Sequence, residues 1–132
     1  GVLYTCDLFC DDQPQPVNVR DGRLISIPYS LEMNDIIVYN SYQEPPRRYA
    51  EMLKANFDQL YEDGAENGTV MCIPLHPYAV SRPHRISAFE EALEYITSHD
   101  EVWVTTGREI AEYFYDHHYD KAATSIATAN GR

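Results

Sequence analysis

The order of hydrophobic and polar positions divides the chain into a β-rich first third and a later part in which helices and strands alternate. Residues 2–6 are rich in strand-forming side chains. Residues 17–19 and 24–27 alternate around a turn signal at Asp21-Gly22. The pattern predicts a first strand followed by a β-hairpin near the N-terminus.

Three amphipathic helices are predicted in the later part. Pro45 and Pro46 can open the first helix, and Gly64 is a natural end for it. The second and third helices are expected to begin at Ser87 and Thr106, because each is followed three residues later by a glutamate that can complete a capping box. The side chains expected to face the core are Phe89, Ala92, Leu93 and Ile96 in the second helix and Ile110, Tyr113 and Phe114 in the third.

Two apolar stretches between these helices are predicted to be buried parallel strands. They are residues 69–75 and residues 102–105. A spacing of about 30 residues with a helix between is typical of right-handed βαβ units. Two or three such units do not close a barrel, so an incomplete α/β architecture is expected over residues 1–120. Residues 121–132 are small and polar and are expected to form a flexible tail.

Composition narrows the classes of partner and compartment. The 132 residues are 44% apolar and 12% aromatic, enough for one domain with a core. The net charge of −11 argues against nucleic-acid and anionic-membrane partners. No apolar run approaches the roughly 20 residues that span a bilayer, and the opening residues do not resemble a signal peptide. The odd count of three cysteines favours a reducing cytoplasm over a disulfide framework.

The strongest candidate for chemistry is His76, directly after the predicted strand at residues 69–75. In α/β folds the carboxyl ends of parallel strands are where ligands bind. An imidazole exchanges a proton near neutral pH, and Pro77 restricts position 76 to an extended conformation. The alternative is that His76 only forms a hydrogen bond with a loop carbonyl. The position alone supports both interpretations equally.

Charged residues in the loops each allow a functional and a structural interpretation. Arg82 and Arg85 could hold a substrate carboxylate, or could pair with acidic residues around the next helix, which the acidic composition favours. Asp11 and Asp12 could bind a metal or orient a base, or could be ordinary loop residues. The same two interpretations apply to the polar residues after Pro28, which are Glu32, Asn34 and Asp35.

Several of these segments, in this order, resemble one protein family. The segments are Asp11-Asp12-Gln13-Pro14, Ile27-Pro28-Tyr29, Asn34-Asp35, Leu75-His76-Pro77-Tyr78, Arg82-Pro83-His84-Arg85, Tyr95-Ile96, Val102-Trp103-Val104-Thr105-Thr106-Gly107 and Glu109-Ile110-Ala111. Over about residues 4–115 the chain resembles the C-terminal part of the polysaccharide deacetylase superfamily. It is most similar to the branch that holds metal-independent allantoinases and cyclic imide hydrolases.

The resemblance implies a fold, an activity and roles for particular residues. It implies the C-terminal portion of a distorted (β/α) barrel that hydrolyses a carbon–nitrogen bond in a small amide, ureide, imide or N-acetyl sugar. His76 would protonate the departing amine or stabilise the oxyanion, and Leu75 would line the substrate pocket. Beside these two residues, Asp11, Asp12 and Arg82 are our own candidates for binding or orienting the substrate.

One part of the family pattern has no counterpart in this sequence. The strand-end aspartates and the His-x-x-x-His pair that bind metal and supply the base are absent. We therefore expect no cofactor in this chain, with a divalent metal left open for the complete barrel. A missing N-terminal half or a companion chain is expected to complete the site, and uncovered strand edges favour a homo-oligomer.

Two alternatives to an enzyme are kept open by the sequence. The first is a non-catalytic module, derived from the same barrel, that binds a small molecule or a partner. The second is a free-standing α/β domain with an unrelated role.

Overall fold

The computed structural model describes residues 1–9 and 11–129, which belong to two compact units. The central unit is Tyr29–Val104. The terminal unit combines Gly1–Pro28 with the described residues from Thr105 onward. The boundaries of these compact units lie at other residues. The predicted division of the chain at residue 120 therefore stays a prediction.

Helices dominate the central unit. A 3₁₀ turn at Leu31–Met33 and a π-helical segment at Ile37–Ser41 precede α1 (Pro46–Asp63). Two further helices follow, α2 (Pro77–Val80) and α3 (Ile86–Thr97). The first long helix therefore begins at a proline and ends just before Gly64, as predicted.

The core of the central unit lies between α1 and α3. Tyr49 and Leu53 of α1 are fully buried and belong to one apolar cluster with Phe89 and Ala92 of α3. The rings of Tyr49 and Phe89 are stacked, with centroids 6.5 Å apart. Burying a side chain such as Leu53 contributes about 1.5–3 kcal/mol, so this contact is a main source of the unit's stability.

The start of α3 differs from the prediction. The N-cap is Arg85, and no side chain caps the helix, so the capping box expected at Ser87 is wrong. The N–H groups of Arg85 and Ile86 both donate to the carbonyl of Arg82. This turn brings the backbone into a helical conformation before Ser87, which leaves Ser87 inside the helix rather than at its cap.

The two stretches expected to be buried parallel strands are not strands. Within the described part of the chain, neither residues 69–75 nor residues 102–105 form a β-strand. Residues 69–74 are only partly buried, and Val104 is 74% exposed. An apolar stretch becomes a strand only where another strand offers hydrogen bonds, so composition alone misled the prediction. The mixed α/β class is confirmed, whereas the barrel stays a prediction.

The terminal unit is built on a three-stranded sheet. Its strands are β1 (Tyr4–Thr5), β2 (Gln15–Val17) and β3 (Leu24–Ser26), in the order β1-β3-β2. β3 runs parallel to β1 and antiparallel to β2. Between β2 and β3 the chain passes Gly22, whose φ of +80° lies in the region that favours glycine. The predicted hairpin is confirmed, and the first strand is shorter than predicted.

The terminal unit also contains α4 (Gly107–His117). The Thr106 side chain accepts the N–H of Glu109 at 3.3 Å, and the Glu109 carboxylate accepts the N–H of Thr106 at 3.0 Å. This confirms the second predicted capping box. Phe114 is buried as expected, but Tyr113 is half exposed, and its ring stacks with a centroid distance of 4.4 Å on His117, one turn further along the helix.

The expected flexible tail is instead largely helical. Residues 121–129 belong to α5 (Tyr119–Ala129), in which no residue is buried. Arg23 contacts the first turn through an ion pair with Asp120 at 3.1 Å. Alanines favour the helix, and Ser and Thr hydroxyls donate to carbonyls one turn earlier, so polar composition does not prevent it. The last three residues of the predicted tail lie outside the described residues.

Candidate functional site

His76 stands immediately before α2, with Pro77 in the first turn of that helix. The backbone at His76 is extended, with φ −119° and ψ 113°. This agrees with the restriction that a following proline imposes. The side chain of His76 is 35% exposed, so part of the imidazole is open to a ligand.

The imidazole of His76 is held by a buried carboxylate. Asp35 is fully buried, and its Oδ1 lies 2.7 Å from Nδ1 of His76. Its Oδ2 accepts the backbone N–H of His76 at 2.9 Å. The N–H of Asp35 donates in turn to the carbonyl of Pro74 at 3.2 Å. These contacts join two segments that are 41 residues apart in the sequence.

Asn34 fixes the backbone that presents Asp35. Its side-chain oxygen accepts the N–H groups of Ile36 and Ile37 at 3.0 and 3.4 Å. Its side-chain amide donates to the hydroxyl of Tyr29 at 2.9 Å. Asn favours such turns because its short side chain bonds to the nearby backbone. The carboxylate of Asp35 is thereby positioned before any ligand arrives.

The pair determines which nitrogen of His76 carries a proton. A buried carboxylate only accepts hydrogen bonds, so Nδ1 donates to Asp35. The neutral ring then presents the lone pair of Nε2, and the protonated ring presents an N–H at the same atom. This is the arrangement by which a carboxylate orients an imidazole for proton transfer.

Two buried tyrosines surround the carboxylate of Asp35. Burial raises the pKa of Tyr49 well above its ordinary value, and the negative charge of Asp35 adds to the rise. Burial also raises the pKa of Tyr39, with Asp35 adding and the nearby Arg85 opposing. Both phenols are therefore neutral at neutral pH, and neither one adds a charge beside Asp35.

The central unit holds three of the predicted site residues. Leu75 is partly exposed next to His76 in the chain. Arg82 is exposed, and its Nε donates to the carbonyl of Tyr78 at 2.9 Å. Among the described residues, no carboxylate lies within ion-pair distance of Arg82 or Arg85. The interpretation that these arginines pair with acidic residues around the next helix is therefore wrong.

The other two predicted site residues belong to the terminal unit. Asp11 and Asp12 are both exposed. The carboxylate of Asp11 accepts the N–H of Gln13 at 3.2 Å and the side-chain amide of Gln15. Asp11 also lines a cavity of about 190 Å³, together with Ser26, whose buried hydroxyl has no partner in the described residues. Asp12 does not line this cavity.

Asp35 is the residue whose role the sequence did not specify. It was one of three polar candidates after Pro28, with no assigned partner. Its signals in the sequence are its place among the polar residues after Pro28 and the Asn34-Asp35 pair in the family resemblance.

The geometry can be compared with known proteins. The chain is 33% identical over 131 residues to a protein of Schizosaccharomyces pombe named "Putative polysaccharide deacetylase". It superposes on the crystal structure of a "probable Polysaccharide deacetylase" from Pseudomonas aeruginosa PAO1 with a TM-score of 0.84 and 32% identity. The resemblance to the polysaccharide deacetylases is confirmed. No protein-family model matches the chain.

A second solved structure extends the likeness to allantoinases. The crystal structure of Puue allantoinase matches with a TM-score of 0.84 and 34% identity. Each structural match covers 89% of this chain but 40% of the other protein, and the yeast match covers 90% and 41%. The chain thus spans about two fifths of the length of the polysaccharide deacetylase and allantoinase relatives that it matches.

Neither a metal-binding cluster nor a membrane-spanning helix is found among the described residues. Within residues 1–9 and 11–129, no three His, Cys, Asp or Glu side chains are grouped so that they could hold a metal ion. The described residues therefore bring together no donor set that would fit a metal ion. No helix in the described ranges is both long and apolar enough to cross a membrane.

Proposed function

We propose that the chain is the C-terminal portion of a polysaccharide deacetylase-like or allantoinase-like barrel that hydrolyses carbon–nitrogen bonds other than peptide bonds. The observation that carries this proposal is the Asp35–His76 pair, in a chain that is similar to proteins with those names. Since the chain spans about 40% of these relatives, we propose that the remaining part is supplied by a longer polypeptide or by a companion chain.

In this proposal His76 is the general acid. Hydrolysis adds a water oxygen to the carbonyl carbon, and the tetrahedral intermediate then collapses as the carbon–nitrogen bond breaks. The leaving nitrogen takes up a proton, which Nε2 of His76 delivers while Asp35 holds Nδ1. Before collapse, the same N–H can donate to the oxyanion. The base that activates water belongs to the remaining part of the barrel, as does any divalent metal.

The other predicted site residues take supporting roles. Leu75 lines the substrate pocket, and Asp11, Asp12 and Arg82 bind or orient the substrate. The proposed substrate is a small amide, ureide, imide or N-acetyl sugar. The names of the relatives support a sugar amide or a ureide.

The proposed setting is a reducing cytoplasm, in a homo-oligomer that binds neither nucleic acid nor a membrane. The odd number of cysteines supports a reducing compartment. The net charge of −11 argues against binding to nucleic acid or to an anionic membrane. The exposure of apolar residues such as Val104 supports self-association or contact with a companion chain.

The decisive experiment replaces His76 in the complete protein. We expect His76→Gln to lower kcat by about a hundredfold or more, the usual scale for a general acid. The backbone N–H of residue 76 still reaches Asp35, so the variant should fold. The matched control is His117→Gln on the exposed face of α4, which should leave kcat unchanged. An unchanged kcat in His76→Gln would remove His76 from the mechanism.

The alternative function is a non-catalytic module that binds a small molecule or a partner. A complete protein that binds amide or ureide compounds but turns none of them over would favour it. Any turnover that depends on His76 would exclude it.

A further inference from the structure

A depression of about 290 Å³ in the central unit is lined by two arginines and a histidine. Arg82, His84 and Arg85 line it, together with Asn40 and Tyr78. None of the residues that line it is acidic. The chain as a whole has a net charge of −11, so a depression lined by basic residues and by no acidic residue contrasts with the rest of the sequence.

The two guanidinium groups are anchored without being neutralised. Nε of Arg82 donates to the carbonyl of Tyr78 at 2.9 Å, and one terminal nitrogen of Arg85 donates to the carbonyl of Ala79 at 3.1 Å. The guanidinium of Arg85 also lies 4.0 Å from the ring centroid of Tyr39. Each group keeps further N–H donors, and the described residues place no carboxylate within ion-pair distance of either one.

Anchored arginines with spare donors match a particular class of ligand. The planar fork of a guanidinium fits two oxygens of a carboxylate or phosphate, and anchoring lowers the entropy lost on binding. Asn40 adds an amide that can donate to the same oxygens. We propose that this depression binds a small oxyanion, either a carboxylate or a phosphate group.

The depression lies near His76, the proposed general acid, which suggests what a bound anion would do. Tyr78 lines the depression, and its ring centroid lies 5.6 Å from that of His76. Hydrolysis of an amide produces a carboxylic acid, so a carboxylate-bearing substrate or product would bind in a depression whose lining residue Tyr78 is a neighbour of His76. This role rests on the proposed function, whereas binding of the anion can be measured without turnover.

The test titrates the complete protein with sodium acetate and, separately, with sodium phosphate. Sodium chloride keeps the ionic strength constant, since screening would otherwise change weak binding. Calorimetry and NMR shifts of the arginine side chains report the binding. We expect saturable binding of at least one anion. Acetate alone would identify a carboxylate site, and phosphate alone would identify a phosphate site.

The variant Arg82→Gln should weaken this binding about tenfold or more, because a charge-assisted contact is lost. Arg82 is exposed, so the variant should keep the circular dichroism and unfolding temperature of the parent. The control Arg108→Gln removes an exposed arginine of α4 and should leave binding unchanged.

Two results would overturn the inference. They are the absence of saturable binding for both anions, and equal affinities in the parent and in Arg82→Gln. His76-dependent turnover without anion binding would remove only this inference. Anion binding without turnover would remove only the proposed hydrolysis.

Discussion

The bond between Asp35 and His76 can be tested by two substitutions that remove different parts of it. Asp35→Asn has one side-chain oxygen and one N–H₂ group. If the oxygen accepts the backbone N–H of His76, the N–H₂ group faces Nδ1. In the other orientation a neutral oxygen faces Nδ1. Asp35→Ala removes both acceptors. Because the two contacts are 2.9 and 2.7 Å long, both variants change hydrogen bonds of full strength.

The expected losses of stability follow from these bonds. Hydrogen bonds to charged groups contribute about 1.5–3 kcal/mol and neutral ones about 0.5–1.5 kcal/mol, so replacing both charged bonds by neutral ones in Asp35→Asn should cost about 2 kcal/mol. Asp35→Ala loses two charged bonds, which sum to about 3–6 kcal/mol. The side chain of His76 is 35% exposed and can bond to water, so a loss of about 3 kcal/mol is expected.

Two measurements check this expectation. Urea unfolding gives the free-energy changes, and ¹⁵N NMR of the imidazole gives the protonated nitrogen. If the new amide faces Nδ1, Asp35→Asn should shift the neutral ring of His76 from the Nδ1–H to the Nε2–H form. The control is Asp58→Asn, since Asp58 also accepts a short bond, from Tyr95 at 2.7 Å, but is exposed. A smaller loss in Asp35→Ala than in Asp58→Asn would refute the reasoning.

Two further predictions concern a buried phenol and a helix cap. Tyr49→Phe leaves the carbonyl of Met33, which accepts the Tyr49 hydroxyl at 2.8 Å, without this partner, so urea unfolding should show a loss of about 1–3 kcal/mol. Because the pKa of Tyr49 is raised in the folded state, the contribution of Tyr49 to the free energy of unfolding is complete below about pH 10 and is lost as the pH rises toward the folded pKa. Tyr49→Phe should therefore lose less stability at alkaline pH than the parent. Thr106→Ala should destabilise α4 by about 1 kcal/mol. Hydrogen bonds from Thr105 and Thr106 hold the pKa of Glu109 below its ordinary value. The contribution of Glu109 to the free energy of unfolding is therefore present above about pH 4.3 and is lost as the pH falls. NMR titration should find a higher pKa for Glu109 in Thr106→Ala.

The elements predicted correctly are those that neighbouring residues determine. The helix after Pro46, the hairpin at Gly22 and the capping box at Thr106 depend on side chains within a few residues of one another. Residues 69–75 and 102–105 failed because a strand needs a neighbour, which an apolar sequence cannot supply by itself. The helix at Tyr119–Ala129 was missed because the polar composition hid its helix propensity.

The candidate site was predictable only in part for the same reason. Pro77 and the preceding apolar stretch singled out His76 and its extended backbone. The partner of His76 is 41 residues away, and a single sequence carries no measure of that distance. Asp35 was therefore visible as a polar candidate after Pro28 but not as the group that orients the imidazole.

The backbone N–H and the ring of His76 make separate contacts with Asp35, and this has a consequence for large mutational screens. Any residue at position 76 other than proline keeps an N–H that Asp35 can accept. Substitutions at position 76 should therefore lower activity strongly and cellular abundance less, because only the contact from the ring is removed. Substitutions at position 35 should lower abundance and activity together, because they remove both contacts at once. A screen that scores the two phenotypes separately would thus distinguish the proposed general acid from the carboxylate that holds it.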